Sequence, residues 1–187
     1  MYEAYWEKID EMRKEIKSNV YPPDLHDKIW KETDYAKANC YAYALNVENT
    51  YYDSAESLKS IPFHFGIIGA GLRRNVNFKN AKRIVYPKNH VNMFLYLQYD
   101  LHMLGLSIRE SSYEEPLQSK EAKILLGLSR NRKAFHFVRQ DSDQNWSHKQ
   151  GWFHSPEFFC YGDENPSEFM LSLGYKPFSY YIISKDF

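Results

Sequence analysis

A cysteine that opens an apolar segment is the residue of this sequence best suited to covalent chemistry. Asn39 precedes Cys40, and the segment Tyr41–Leu45 that follows carries no charge. Asparagine can cap a helix by accepting a hydrogen bond from the backbone N–H near Ala42, which predicts Cys40 at the first helical position. Unpaired N–H groups and the positive end of the helix dipole favour a thiolate there, so the pKa of Cys40 is expected to fall.

Two other interpretations of Cys40 stay open. Cysteine is among the most buried residue types, so Cys40 also fits an inert position in the core. A helix that began at Thr33 or Asp34 would place Cys40 in mid-helix and remove the effect of the dipole. The second cysteine, Cys160, precedes a loop-like segment, and two thiols do not make a disulfide framework, so both are expected to be reduced and Cys40 to be the reactive one.

Two histidines on neighbouring predicted strands are the candidates for a catalytic base. Residues 134–140 and 145–148 have the composition of strands, and a polar turn joins them. A three-residue loop centred on Ser142 would place His136 directly opposite His148, with both side chains on one face. A four-residue loop would turn His148 to the other face, because one residue of register inverts the faces.

On a shared face these residues would form a nucleophile, a base and an orienting group. A cysteine nucleophile needs a base within hydrogen-bond reach, and the base needs a partner that fixes its orientation. Cys40, His136 and His148 suit those three roles. Three substitutes for the orienting role lie in or beside the turn: Asp141, Asp143 and Asn145. A zinc site formed by Cys40 and the two histidines is a weaker alternative.

The elements that must position these residues are helical first and extended later. Amphipathic spacing predicts helices over 2–17 and 89–104, the second ending at Gly105. Further strands are expected over 106–109 and 122–128, followed by a short helix over 167–173 and a closing strand over 178–184. This order predicts an α+β fold.

Length and charge limit the classes of function. The 187 residues suit one domain, 1–187, with 1–30 as an N-terminal helix and lead-in. Acidic and basic residues number 24 each, so no overall charge attracts nucleic acid or an anionic membrane. A basic stretch over 73–88 is interpreted as a solvated face rather than a single-strand groove. With no apolar N-terminal core and no segment long enough for a bilayer, we expect a cytoplasmic protein as encoded, released only by a dedicated secretion system or lysis.

Two motifs together resemble a known family. Asn-Cys-Tyr-Ala-Tyr-Ala-Leu over 39–45, and then His-Phe-Val-Arg with Trp-Ser-His-Lys over 136–149, are similar to the NlpC-type cysteine peptidases of the papain-like fold. The resemblance implies a nucleophile helix packed on a small antiparallel sheet, with additional helices. It also implies Cys40 as nucleophile, His136 as base and His148 as orienting group, with no cofactor. Asn-Cys-Tyr departs from the usual Asp-Cys-Ser, so the resemblance bears on fold and nucleophile more than on substrate.

The resulting expectation is a thiol-dependent hydrolase of peptide or isopeptide bonds that acts on a peptide-like substrate through an acyl-enzyme on Cys40. The backbone N–H of Cys40 and the side chain of Asn39 would stabilise the oxyanion. A deamidase or acyltransferase using the same residues remains an alternative. So does a non-catalytic binding module, in which the abundant aromatic residues, 16 Tyr and 12 Phe, line a recognition surface.

Overall fold

A computed structural model describes residues 38–46, 68–69, 85–141, 144–151, 154–159 and 165–185. The helix expected over 2–17, Cys160 and all but the end of the basic stretch lie outside these residues. The described chain is a mixed α+β structure. In chain order its elements are α1 (Cys40–Ala44), α2 (His90–Met103), β1 (Leu106–Ser111), β2 (Glu121–Ser129), β3 (Phe135–Gln140), β4 (Trp146–Lys149), β5 (Pro156–Phe159), α3 (Pro166–Ser172) and β6 (Tyr175–Lys185).

The strands form one antiparallel sheet in the order β1-β6-β2-β3-β4-β5. The last strand, β6, lies between β1 and β2 and pairs with β2 along its whole length, from Glu121 to Ser129. In contrast, β3 pairs with β4 only from Val138 to Gln140. The sheet is therefore extensively paired on the β1 side and narrowly joined at β4.

Helices cover both faces of the sheet. One apolar cluster joins α1 and α2 to strand residues such as Phe137 and Ile183. A smaller cluster on the opposite face joins Val138 to Met170 of α3. Because neighbouring residues of a strand point to opposite faces, odd-numbered residues of β3 face α1 and even-numbered residues face α3.

The helix expected over 89–104 is confirmed with its ends. The side chain of Asn89 accepts a hydrogen bond from the backbone N–H of Asn92 at 3.1 Å, so Asn89 is the N-cap. Gly105 follows the helix with φ of 71°, a left-handed conformation that glycine adopts at low cost. The strands predicted before the tail are confirmed within a few residues.

Two parts of the sheet differ from the sequence prediction. Strand β5 was not predicted, and β6 begins at Tyr175 rather than at residue 178. The register of β6 against β2 shifts between Leu126 and Gly127, opposite Pro177. Proline lacks a backbone N–H, so a strand tolerates it at such an irregularity.

Candidate active site

Helix α1 begins at Cys40, as the sequence predicts. Asn39 has extended backbone angles, φ −88° and ψ −175°, so a helix starting at Thr33 or Asp34 does not run through it. The Oδ1 atom of Asn39 accepts a hydrogen bond from the N–H of Ala42 at 2.9 Å. Cys40 is therefore the first helical residue.

The whole of α1 is enclosed between the sheet and the rest of the domain. Tyr41 stacks on Phe137 with ring centroids 4.7 Å apart and planes at 12°. The hydroxyls of Tyr43 and Ser147 lie 2.8 Å apart. These contacts place α1 across β3 and β4, and they hold Cys40 in a buried position with 6% of its surface exposed.

Burial dominates the chemistry of the Cys40 thiol. It raises the pKa of Cys40 from its ordinary value of 9.0 to about 11, although backbone N–H groups and the charge of Lys149 act in the opposite direction. The backbone of Phe137 gives the largest of these opposing effects. The expectation that the pKa of Cys40 falls is therefore wrong for this state: a helix start supplies donors, but desolvation of the thiolate costs more.

The sulfur lies where β3 and β4 separate. The N–H of Asp141 donates to the carbonyl of Asn145 at 2.8 Å, so odd-numbered residues of β3 direct their N–H groups towards β4. The pairing of β3 with β4 ends at Val138 and His148, so it does not include Phe137, the residue that precedes Val138. The N–H of Phe137 therefore has no strand partner in β4, and it acts on the nearby Cys40 thiol, whose pKa it lowers.

The two histidines meet, with a register that differs from the prediction. His148 pairs with Val138, so the hairpin is centred on residue 143 and not on Ser142. His136 is the diagonal neighbour of His148 rather than its direct partner, and the two side chains share a face. Their rings are in hydrogen-bond contact, with His136 Nε2 3.0 Å from His148 Nδ1.

The shared face is the α3 face, not the α1 face. His136 stacks on Tyr175 at 5.3 Å, and His148 meets the edge of Phe169 in α3 at 5.0 Å. The expectation that both imidazoles point to the face that meets Cys40 is therefore wrong, because Phe137 occupies that face. Within the described ranges, no hydrogen bond joins the sulfur of Cys40 to either imidazole. Cys40 instead lies near the backbone N–H of Phe137, the residue that follows His136.

Both imidazoles are neutral at neutral pH. Burial, followed by the charge of His148, lowers the pKa of His136 from 6.5 to about 3. Burial also lowers the pKa of His148, while the carboxylate of Glu157 acts in the opposite direction. A neutral imidazole is the form that can accept a proton.

Glu157 extends the contact to a chain of three groups. It pairs with His148 in the register of β4 and β5, and its Oε2 lies 3.4 Å from His148 Nε2. A carboxylate only accepts, so we assign the proton of His148 to Nε2, and its Nδ1 then accepts from His136 Nε2. His136 Nδ1 is the remaining atom with a free lone pair.

The substitutes named for the orienting role are placed elsewhere. Asp141 forms a buried ion pair with Arg139, with Oδ1 and Nε 3.1 Å apart, on the α1 face. Asn145 closes the hairpin through its backbone carbonyl. Asp143 lies outside the described residues. Among these positions, the contact with His136 belongs to His148.

Sequence reasoning missed Lys149, Glu157 and Tyr175. Burial lowers the pKa of Lys149 to about 8, against the attraction of the Cys40 charge, and its Nζ donates to the carbonyl of Gly151 at 2.6 Å. Burial, then the charge of Cys40, raises the pKa of Tyr175. For Lys149 a signal was present: it adjoins His148 and so must point to the opposite face, towards Cys40.

In the described part of the chain, no three side chains of His, Cys, Asp or Glu are grouped to hold a metal ion. Likewise, none of the described helices is both long and apolar enough to cross a membrane. No family model matches the chain, and comparison with curated proteins and with solved structures gave no match.

Proposed function

We propose that this protein is a thiol-dependent hydrolase of peptide or isopeptide bonds, with a papain-like arrangement in which Cys40 is the nucleophile, His136 the base and His148 the orienting group. One observation carries the proposal. The thiol of Cys40 lies near the backbone N–H of Phe137, which lowers its pKa and follows His136 in β3. Nδ1 of His148 lies 3.0 Å from Nε2 of His136. The proposed nucleophile and the proposed base thus flank the same part of β3, one on each face, where β3 and β4 separate.

The direction of proton transfer follows from the tautomers assigned to the two histidines. Cys40 and His136 lie on opposite faces of the sheet in this structure, so the proposed reaction requires that separation of β3 and β4 first bring them together. His136 Nδ1 then takes the proton of the Cys40 thiol as the sulfur attacks the carbonyl carbon of the substrate. The C–N bond then breaks, and the leaving amine receives that proton from His136. Water deprotonated by His136 next attacks the thioester, which releases the acid and restores the thiol. Through Nδ1 of His148 and the carboxylate of Glu157, the chain stabilises the positive charge that His136 carries between these steps.

In the enclosed resting state this proton transfer is unfavourable. A thiol with pKa of about 11 is a weak acid and an imidazole with pKa of about 3 is a weak base. Both shifts come first from burial, so separation of β3 and β4 that admits substrate and water would reverse both. We infer that substrate entry at this separation activates the pair, as in sites that become competent only on binding.

The donors at the sulfur also suit the oxyanion. The backbone N–H of Cys40 lowers the pKa of its own thiol, and it is the leading candidate for an oxyanion donor. The Oδ1 atom of Asn39 caps the helix and cannot donate, which leaves its amide nitrogen for that role. A deamidase or an acyltransferase would use the same residues with a different amide or acceptor.

Turnover of a peptide or acyl substrate found by screening tests this function. Cys40→Ala and His136→Ala should each abolish turnover, and the double variant should be no worse than either, because residues that act as one unit are not additive. His148→Asn should retain more activity than His148→Ala, since asparagine still accepts from His136. Cys160→Ser is the matched control and should retain activity. Near-wild-type turnover of His136→Ala, with an unchanged thermal melt, would refute the mechanism.

The second candidate is a non-catalytic binding module. The exposed fraction of Cys40, 6%, favours it, because a structural thiol needs no access. In that case Cys40→Ala would leave ligand binding intact, and no substrate in the screen would show turnover that depends on the thiol.

A further inference from the structure

A cavity of about 590 Å³ lies at the end of the sheet where β2 meets β6, with the start of α2 at its rim. This volume is within the range of small-molecule sites, roughly 300–1,000 Å³. Its walls come from the segment before α2, the turn after β2, the end of α3 and the first residues of β6. We call it the basic cavity, because its charged lining is of one sign.

Four cations line the basic cavity: Lys88, Arg130, Arg132 and Lys176. Among the residues that the structure describes, its lining includes no carboxylate. Within the described ranges, no ion pair joins any of the four to an acidic side chain. Like charges that converge on one concave space repel one another, and a bound anion relieves that repulsion.

The arginines are arranged for recognition rather than only for solubility. Arg132 Nη1 donates to the carbonyl of Tyr86 at 2.8 Å, and Tyr86 donates its N–H to the carbonyl of Arg132 at the same distance. These bonds fix the guanidinium at the wall, while its other donors remain available. A planar guanidinium binds phosphate or carboxylate oxygens in pairs, which a lysine ammonium does not do.

Aromatic and aliphatic side chains form another part of the wall. His90 stacks on Phe178 with ring centroids 4.2 Å apart and planes at 14°. Leu128, Leu171 and Pro177 complete an apolar side. A wall of this kind favours a planar ring, because stacking and burial of apolar surface both contribute to binding.

We propose that the basic cavity binds a small organic anion that combines a planar ring with at least two negative charges, which is the chemistry of a nucleotide. The four cations face the charged end and the stacked pair faces the ring. The site does not depend on catalysis by Cys40. Tyr175 joins the two regions, since it lines the cavity and stacks on His136 at 5.3 Å.

Calorimetric titration of the full chain with three probes tests the proposal. ADP should bind with saturation, more tightly than adenosine, which lacks the charge, and than pyrophosphate, which lacks the ring. Binding of ADP should weaken as ionic strength rises. Arg130→Gln and Lys176→Gln should each weaken ADP binding by about tenfold, the loss expected for one charge-assisted hydrogen bond.

The control is Lys133→Gln, which removes the same charge from an exposed residue of the turn outside the lining. It should leave ADP binding within about twofold of the wild type. Thermal melts of all three variants check the fold. The proposal is overturned if ADP does not bind at millimolar concentration, if adenosine or pyrophosphate binds as tightly as ADP, or if Lys133→Gln weakens binding as much as Lys176→Gln.

Discussion

The reactivity of Cys40 with a disulfide reagent, followed against pH, is the sharpest test of the burial argument. A rise in the thiol pKa from 9.0 to about 11 lowers the thiolate fraction at neutral pH by about a hundredfold. A more basic thiolate is also more nucleophilic, with a Brønsted coefficient of about 0.5, which recovers about tenfold. The folded protein should therefore react at least about tenfold more slowly than the unfolded chain, with enclosure slowing it further.

The measurement uses Cys160→Ser, so that Cys40 is the remaining thiol, with the same variant in denaturant as the matched control. The unfolded chain should reach a constant rate above about pH 10, where its thiol is almost fully ionised. In the folded protein the rate should still rise about tenfold for each pH unit at pH 10, because its thiol ionises later.

A constant rate below pH 9 in the folded protein would refute this reasoning. It would mean that the donors at the sulfur outweigh desolvation, and that a thiolate already exists in the resting state. A folded protein that reacts faster than its unfolded control at neutral pH would refute it in the same way.

Three further predictions concern stability. Asn39→Ala should lower the free energy of unfolding by about 1 kcal/mol in denaturant titrations, because it removes the cap of α1, whereas Asn39→Ser should retain most of it. Gly127→Ala should cost roughly 1–3 kcal/mol, since its Cβ would lie 2.6 Å from Met170 Sδ, and equal stability of this variant would contradict the packing of α3. Between pH 6.5 and about 3, His136 binds a proton in the unfolded chain but not in the folded protein. This residue should therefore lower the free energy of unfolding by about 1.4 kcal/mol for each unit of acidification in that range. His136→Gln should flatten this slope in thermal melts at graded pH.

Local signals gave much of the fold. The cap at Asn39 and the glycine after α2 are each determined by neighbours in sequence, and the structure contains both. Strand β5 has no such local signal. Pro156–Phe159 is short and begins with proline, so only its pairing with β4 makes it a strand.

The candidate site was harder to predict, because it depends on which face of the sheet each side chain occupies and on how deeply it is buried. A shift of the hairpin centre by one residue, from Ser142 to residue 143, moved the partner of His148 by two residues, from His136 to Val138. The face of the sheet on which α1 packs is set by the contact between Tyr41 and Phe137, which are far apart in sequence. The thiol pKa depends on how completely that contact excludes water, and no local pattern carries this information.

The narrow joint between β3 and β4 has a consequence for how the molecule comes apart. His136, the proposed base, lies in β3 on one side of this joint, while His148 and Glu157 lie in β4 and β5 on the other side. Strands held by few backbone bonds exchange their amide hydrogens through small openings, well below the free energy of global unfolding. The amides of β4 should therefore exchange sooner than those of β2, and each such opening separates the two imidazoles. Deuterium uptake at this joint would thus report, on a timescale of seconds to hours, how often the proton chain is broken and reformed.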